Sequence, residues 1–165
     1  AVLDAAPSFP PLADPEAPNP QRFTHMLALV RARVLLDAGR ADDALKTLPP
    51  ALTQPAGEDR VSLYDTQLAL ALRGEARCAR RQTAPGLADL TASLALVART
   101  RDDPLDTEVG RLHAVTGACA LAAGDRAHAR READLARRTF SARPWAADYR
   151  QAPWRRLDAA LAARG

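Results

Sequence analysis

The chain has 165 residues, the size of one domain or one short repeat array. Hydrophobic residues make up 47% of it but aromatic residues only 4%, Ile is absent, and Ala (38) and Leu (23) supply most apolar side chains. Strong helix formers dominate, so the composition predicts an all-α fold and excludes a sheet-rich one. The 23 basic and 20 acidic residues leave a net charge of +3, which argues against a nucleic-acid polycation.

The first 20 residues differ from the rest of the chain, because they hold six of its 13 prolines and show no apolar periodicity. We expect residues 1–20 to form an extended, semi-rigid linker. It ends in Asn19-Pro20, where Asn can accept hydrogen bonds from a first helical turn and Pro lacks an N–H that would be unpaired there. A first helix is therefore predicted over residues 21–38, and Gly39 supplies the stop.

Helix signals return along the rest of the chain, as apolar residues at three- and four-residue spacing bounded by Gly, Asp or Pro. The further predicted helices cover residues 41–48, 58–80, 85–99, 104–123, 126–141 and 153–163. They complete three antiparallel helical hairpins within residues 21–143, at about 21–56, 58–99 and 104–141. Residues 144–165 are predicted to form a C-terminal capping segment and an amphipathic helix.

Small residues recur at equivalent places in the three hairpins. One lies in each first helix and another lies twelve positions later in each second helix; the pairs are Ala32 with Ala44, Gly74 with Gly86, and Gly117 with Ala129. The turns between these helices carry Gly39, Arg81 and Gly124. Small side chains let two helices approach closely, and Gly permits the positive φ that ends a helix. The middle repeat also allows a register two residues later, with Ala76 and Ala88 as the small pair.

With these residues the chain resembles the tetratricopeptide repeat family, whose pattern is a small residue in the first helix, Gly at the turn and Ala in the second helix. The resemblance is clearest in ALVRARVLLDAGRADDALKTL and RLHAVTGACALAAGDRAHARREADLA, with elongated repeats of about 42 residues. It implies a short right-handed solenoid of three stacked hairpins with a C-terminal capping helix. The last repeat and the helix after it loosely resemble the C-terminal tetratricopeptide region of bacterial eukaryotic-type serine/threonine kinases.

No catalytic signature accompanies the repeats, since the sequence lacks GxxxxGK, GxSxG and HExxH motifs and any His or Cys cluster with metal-ligand spacing. We therefore expect no enzyme, cofactor or metal site within these residues. His25, His113 and His128 are isolated in sequence and are interpreted as helix-surface or groove residues. Cys78 and Cys119 are too few and too far apart for a disulfide framework, so two buried thiols are favoured over a bridge.

The resemblance also implies where a partner would bind, because stacked hairpins of this family turn their first helices toward a concave groove. The positions that match this lining are Met26, Leu29, Arg33, Leu68, Ala71, Glu75, Arg111, Ala114 and Ala118. The lining is mostly apolar with Arg33 and Arg111 at its edges, which favours a partner segment with hydrophobic anchors and some acidic character. The alternative for each side chain is that it packs between repeats.

Two further clusters can be explained either by structure or by binding. Four arginines crowd one side of a helix end: Arg73, Arg77, Arg80 and Arg81. They complement the helix dipole there, and they are also a candidate docking patch for an acidic or phosphorylated partner. Three aromatic residues near the C-terminus, Trp145, Tyr149 and Trp154, are expected to seal the end of the last hairpin rather than to form a ligand site.

Together these features predict a non-catalytic protein-protein interaction module, the scaffold or sensor region of a larger bacterial regulatory or signalling protein. The high Arg and Ala content with a single lysine, Lys46, is typical of a GC-rich bacterial genome. The alternatives are a small-molecule-sensing helical domain, with the groove as a closed apolar pocket, and a structural oligomerisation domain. We expect neither nucleic-acid binding nor membrane insertion, and both the cytoplasm and the periplasm fit the sequence.

Overall fold

The computed structural model describes residues 20–53, 60–103 and 105–163, and every regular element within these ranges is helical. The α-helices are α1 (Pro20–Asp37), α2 (Ala41–Thr47), α3 (Arg60–Ala79), α4 (Thr83–Thr100), α5 (Thr107–Ala122), α6 (Arg126–Ala142) and α7 (Asp148–Ala162). A short 3-10 helix, Pro50–Thr53, follows α2. The all-α class is therefore confirmed for the described residues. The predicted linker lies outside them, except for Pro20.

Most helix boundaries lie within two residues of those predicted, but α5 begins at Thr107, three residues late. The reason is its cap. The Asp106 side chain accepts a hydrogen bond from the N–H of Glu108 at 2.7 Å, so Asp106 is the N-cap. Asp103, which directly precedes the predicted helix start at residue 104, accepts a hydrogen bond from the N–H of Leu105 in the preceding turn.

Helix α7 begins at Asp148, five residues before the predicted start at Pro153. Pro153 is buried inside this helix. A proline there removes the hydrogen bond that its N–H would donate to the carbonyl of Tyr149, four residues earlier. Helix α7 nevertheless continues past the proline to Ala162.

Three helix pairs are joined by tight turns at the positions that the repeat pattern identified. Gly39 between α1 and α2 has φ 75°, and Gly124 between α5 and α6 has φ 86°, as expected for glycines that end helices. Arg81 occupies the equivalent place between α3 and α4 with φ 62°. This equivalence favours Gly74 and Gly86 as the small pair of the middle repeat over the register two residues later.

The small residues let the paired helices approach closely. A Cβ atom added to Gly74 would lie 2.7 Å from Leu90 Cγ and 2.9 Å from the carbonyl oxygen of Gly86, so α3 and α4 are in direct contact there. Ala32 and Ala44, the corresponding residues of α1 and α2, are fully buried. Between α1, α2, α3 and α4, a core of mainly Ala and Leu reaches close packing in this way.

The helices pack both in pairs and side by side. Helix α1 packs against α2, α3 against α4, and α5 against α6, while α3 also contacts α1 and α5. The last helix, α7, packs on α5 and α6. The four helices α1, α3, α5 and α7 are thus successive neighbours, and we call them the helix row. In the part of the chain that the structure describes, no helix has the length and apolar character needed to cross a membrane.

A disulfide joins Cys78 in α3 to Cys119 in α5, so the preference for two free thiols is wrong. The two cysteines are 41 residues apart in sequence, but their Cα atoms are only 5.5 Å apart. The physical reason is the side-by-side packing of α3 and α5, which brings residues of successive helix pairs together. The bridge therefore cross-links the second helix pair to the third.

Only one of the three aromatic residues near the C-terminus seals the last helix pair. The Trp154 ring lies 5.7 Å from the Phe140 ring of α6. Trp145 and Tyr149 are 76% and 63% exposed, so the sealing prediction is wrong for these two. In the turn before α7 the buried residue is the much smaller Ala146, which packs with Phe140 and Trp154.

Candidate functional site

The helix row holds an ion-pair cluster centred on Glu75 of α3. Arg33 of α1 donates to Glu75 Oε2 at 2.7 Å, and Arg111 of α5 donates to Oε2 and Oε1 at 3.1 and 2.9 Å. The Arg111 side chain is nearly buried, whereas Arg33 and Glu75 keep 25% and 21% of their side-chain surface exposed. One carboxylate thus connects three helices, and we call this group the Glu75 cluster.

The cluster extends toward α7 through Glu108 of α5. Arg33 Nη2 lies 3.9 Å from Glu108 Oε1, and Arg150 of α7 donates a hydrogen bond to Glu108 Oε2. On the other side, Arg111 lies 3.8 Å from Asp37 at the C-terminal end of α1. Guanidinium and carboxylate groups alternate along this chain of contacts, so their charges are nearly balanced.

The protonation state of Glu75 follows from its two guanidinium partners. Burial by itself would raise the pKa of the Glu75 carboxyl, but the charges and hydrogen bonds of Arg33 and Arg111 outweigh burial and hold this pKa below its ordinary value. Glu75 is therefore ionised at neutral pH. The cluster acts as a clamp that holds α1, α3 and α5 together.

On one side of the clamp lies a cleft of about 450 Å³ between α3, α5 and α7, which we call the disulfide cleft. The Cys78–Cys119 bridge forms part of its wall, and the rest is mainly apolar. The other lining residues are Glu75, Ala79, Val115, Ala118, Leu121, Ala122, Pro153, Arg156, Leu157 and Ala160. The only charged members of this set are one carboxylate and one guanidinium, Glu75 and Arg156, so a bound group would meet an apolar surface with a charge of each sign.

A second cleft of about 470 Å³ lies between α1, α3 and the N-terminal end of α5, and we call it the Tyr64 cleft. Its lining is more polar: Leu29, Val30, Arg33, Val34, Tyr64, Leu68, Leu72, Arg101, Asp106, Thr107, Glu108 and Arg150. The guanidinium carbon of Arg101 lies 4.8 Å from the centre of the Tyr64 ring, and Arg101 donates to Asp106 at 2.6 Å. The Tyr64 ring therefore lies where the apolar part of the cleft meets the ion pair of Arg101 and Asp106.

The structure places the nine predicted groove residues in different surroundings. Three form the ion-pair cluster: Arg33, Glu75 and Arg111. Three line a cleft through apolar atoms: Leu29 and Leu68 in the Tyr64 cleft and Ala118 in the disulfide cleft. Met26 is exposed on α1, outside both clefts. Ala71 and Ala114 are buried between helices and line neither cleft, so packing, the alternative interpretation, holds for these two.

Sequence reasoning missed the charged residues that come from outside the first helices of the three pairs. Arg101 follows α4, and Arg150 and Arg156 lie on α7. The family resemblance transferred positions on first helices alone, so it gave no signal for these arginines. Because the last helix was predicted to start at residue 153, Arg150 was not expected to lie on a helix.

Three arginines of the predicted docking patch bind carboxylates of this chain. Arg73 and Arg77 donate to the buried carboxylate of Asp89 at 2.7 to 2.8 Å and so join α3 to α4. Arg80 pairs with Asp42 of α2 at 2.8 Å. The fourth arginine of the patch is exposed in the turn between α3 and α4. These contacts give the arginines a structural role, and a role in docking stays a prediction.

Two of the three histidines, isolated in sequence, contact the same carboxylate. His113 Nδ1 on α5 lies 2.8 Å from Glu132 Oε2 on α6, and His128 Nε2 lies 3.3 Å from Glu132 Oε1. The i, i+4 spacing of His128 and Glu132 was visible in the sequence, but the contact with α5 was not. Across residues 20–53, 60–103 and 105–163, no group of three or more His, Cys, Asp or Glu side chains is placed to hold a metal ion.

The arrangement offers two clefts with apolar floors and charged rims on either side of an ionic clamp. Clefts of this kind bind by covering apolar surface, and their charged rims orient what is bound. A comparison with protein-family models, curated proteins and solved structures finds no match to this chain.

Proposed function

We propose that the chain is a non-catalytic protein-protein interaction module that binds a partner segment along the helix row. In this proposal the three helix pairs stack as a right-handed, tetratricopeptide-like solenoid, and α7 caps its C-terminal end. Small residues at equivalent positions, positive φ at three equivalent turns, and the contacts of α3 with α1 and α5 support it. Stacked repeats of this kind present extended surfaces to partners.

The observation that carries the proposal is the pair of clefts on either side of the Glu75 cluster. Their volumes are about 450 and 470 Å³, and both lie along the same row of helices. A partner segment that crosses the row can place an apolar anchor in each cleft and pass over the ionic clamp between them. Apolar anchors in preformed pockets supply most of the binding energy in such interfaces.

The rim of the disulfide cleft indicates the charge of the partner. Arg156 is exposed there and makes no ion pair within the described ranges of the chain. An acidic group beside the apolar anchor would pair with this guanidinium. Arg33 and Arg111, to which the sequence analysis assigned this role, are already paired with Glu75.

We further propose that the module belongs to a larger bacterial regulatory protein, on the basis of its composition and its loose likeness to kinase-associated repeats. The disulfide favours an oxidising compartment such as the periplasm, because disulfides persist there and are rare in the cytoplasm. A scaffold or sensor in that compartment would meet its partner outside the reducing cytoplasm.

A peptide selection tests the proposal, with a random library displayed on phage and the immobilised oxidised chain as bait. We expect enriched sequences with two apolar anchors and an acidic residue. Their binding should be lost in Ala118→Arg, which fills the disulfide cleft, and weakened in Val34→Glu, which places a charge in the Tyr64 cleft. Both positions are exposed, so the fold should be preserved.

Ala92→Arg is the matched control, since Ala92 is an exposed alanine of α4 that lines neither cleft. It should bind the selected peptides as the native chain does, and circular dichroism should show all variants equally helical. Failure to enrich any sequence would contradict the proposal. So would peptides that bind Ala118→Arg and Ala92→Arg equally well.

A small-molecule sensor is the second candidate, and the apolar lining of the disulfide cleft favours it. The volume of about 450 Å³ lies within the range of small-molecule pockets. The ligand would have an apolar body and a carboxylate that reaches Arg156. A carboxylate of this class that raises the thermal unfolding midpoint of the native chain, but not of Ala118→Arg, would support this candidate over the peptide groove.

A further inference from the structure

Helix α1 has two apolar sides, and only one of them packs against the rest of the molecule. Leu29 and Ala32 are buried on the side that faces α2 and α3. The opposite side carries large apolar residues that are roughly half exposed, and they include Met26 (50%), Leu27 (45%), Val30 (59%) and Val34 (58%). Leu27, Val30 and Val34 follow one another at three- and four-residue spacing and Met26 lies beside them, and we call these four residues the α1 stripe. An apolar line of this length on a helix typically marks a contact surface.

The charges beside the α1 stripe favour an acidic occupant. Arg22 precedes Met26 by one helical turn, and Arg31 lies between Leu27 and Val34 along the same flank. Both arginines are exposed, and neither has an ion-pair partner in the part of the chain that the structure describes. A segment with carboxylates on its edges and apolar groups in its middle would match this surface.

The chain itself contains a segment of this composition directly before α1. Residues 1–19 include three carboxylates, Asp4, Asp14 and Glu16, and no Lys, Arg or His. Their large apolar residues include Phe9 and Leu12, which are separated by two prolines. Covalent connection to α1 makes the local concentration of this segment high, so even a weak contact would form.

The spacing of Phe9 and Leu12 matches the spacing along the α1 stripe. In a polyproline II conformation, which Pro10 and Pro11 favour, residues three apart lie on the same side and are separated by about 9 Å. Leu27 and Val34 are seven residues apart in a helix, which corresponds to about 10 Å. The eight residues from Leu12 to Pro20 leave enough chain for a reversal of direction before the contact.

We propose that the FPPL segment at residues 9–12 docks on the α1 stripe of its own chain, with Phe9 and Leu12 against Leu27, Val30 and Val34 and with Asp14 and Glu16 near Arg22. The occupant is thus an acidic, proline-rich segment in polyproline II conformation. This contact covers one wall of the Tyr64 cleft, to which Val30 and Val34 also belong. The inference does not depend on the proposed partner binding, because it concerns the chain alone.

Paramagnetic relaxation in the 165-residue chain tests the contact. Both native cysteines are bonded to each other, so Ser8→Cys provides a single reactive thiol beside Phe9 for a nitroxide label. We expect loss of amide signal intensity at residues 26–34 of α1 and unchanged intensity along α6. The loss should persist on dilution, because the contact is intramolecular.

Two variants and a control make the test specific. Phe9→Ser with Leu12→Ser should restore the α1 signals, and so should Val30→Asp with Val34→Asp, at positions exposed enough to preserve the fold. Trp145→Ser is the matched control, because it removes a residue that is 76% exposed at the other end of the chain and should leave the signal loss intact.

Other outcomes would overturn the proposal. Undiminished α1 signals in the labelled chain would mean that the segment does not dock there. A second sample mixes chain that carries the nitroxide, at natural isotope abundance, with isotope-enriched chain that carries no nitroxide. Signal loss in the isotope-enriched chain would assign the stripe to a contact between two copies. Loss that survives the serine substitutions at Phe9 and Leu12 would show that these side chains do not carry the contact.

Discussion

The junction of α3, α4 and α5 and the N-terminal helix α1 pack against the rest of the molecule in two different ways. At the junction, glycines bring backbones into contact, a disulfide crosses between α3 and α5, and Leu90 is fully buried. Helix α1 packs through one side only and leaves the α1 stripe exposed. Besides the apolar contact of Leu29 and Ala32 with α2 and α3, α1 is joined to α3 and α5 by Arg33 and the Glu75 cluster.

The junction is therefore the part of the molecule that resists change, and α1 is the part that tolerates it. Substitutions at the junction should lower the free energy of unfolding, because the surrounding side chains are closely packed and cross-linked and cannot rearrange around an added or removed atom. The ionic connection of α1 depends on pH and salt, and its exposed surface tolerates substitution. We expect the following changes to separate the two regions, and they are ordered by the size of the effect.

Loss of the disulfide should have the largest effect. Cys78→Ala with Cys119→Ala opens a covalent loop of 41 residues, and the chain-entropy model gives a loss of about 4 kcal/mol in the free energy of unfolding. Urea unfolding of the double variant, and of the native chain with and without a thiol reductant, measures it. Equal midpoints for the oxidised and reduced native chain would contradict a stabilising bridge.

Removal of the Glu75 charge should come next. Glu75→Gln leaves Arg33 and the nearly buried Arg111 without their shared carboxylate, which should cost about 3 kcal/mol. Hydrogen exchange should show faster opening of α1 than of α4 in this variant. If exchange in α1 is unchanged, the cluster does not hold the helix.

The same carboxylate predicts an acid dependence. The pKa of Glu75 is lowered in the folded chain, so its contribution to stability is complete above the ordinary glutamate pKa and is lost as pH falls through the lowered value. Between neutral pH and this acid range, the native chain should lose more stability than Glu75→Gln. Parallel curves of stability against pH for the two proteins would rule out this contribution.

A single methyl group should distinguish a close helix contact from an open one. Gly86→Ala would place its Cβ against Cys78 Sγ and 3.0 Å from the carbonyl oxygen of Gly74. Overpacking should destabilise the chain by about 2 kcal/mol, although the same change at an open helix position stabilises by up to about 1 kcal/mol. Stabilisation by Gly86→Ala in thermal unfolding would show that α3 and α4 are farther apart than described.

The smallest effect should come from the exposed pair that joins the turn after α3 to α2. Arg80 and Asp42 keep 41% and 67% of their side-chain surface exposed, so Arg80→Ala should change stability by less than about 0.5 kcal/mol. Asp89→Asn, which leaves Arg73 and Arg77 without a buried carboxylate, is the contrasting variant and should cost several-fold more. Similar losses in the two variants would remove the distinction between buried and surface pairs.

The sequence predicted the features that depend on neighbouring residues, and it did not predict contacts between residues that are far apart in the chain. Apolar periodicity and caps located the helices, and the repeat pattern located the turns at Gly39, Arg81 and Gly124. The disulfide was missed because 41 residues separate its cysteines and nothing in their local pattern reports that α3 lies beside α5.

The candidate site was predictable only in part, because some of its residues lie at repeat positions and others come from outside the repeats. The groove-lining positions of successive first helices included Arg33, Glu75 and Arg111, which meet on neighbouring helices. Their mutual pairing, and the arrival of Arg150 and Arg156 from α7, depend on how helices of different repeats are oriented. Hydrophobic periodicity contains no information about that orientation.

The most direct test of partner binding along the helix row is an amide NMR titration of the oxidised chain with a selected peptide. We expect shift changes concentrated at Ala118 and Ala122 of the disulfide cleft and at Leu68 of the Tyr64 cleft, with exposed residues of α4 and α6 unaffected. Shift changes confined to α4 and α6, with none in either cleft, would contradict it.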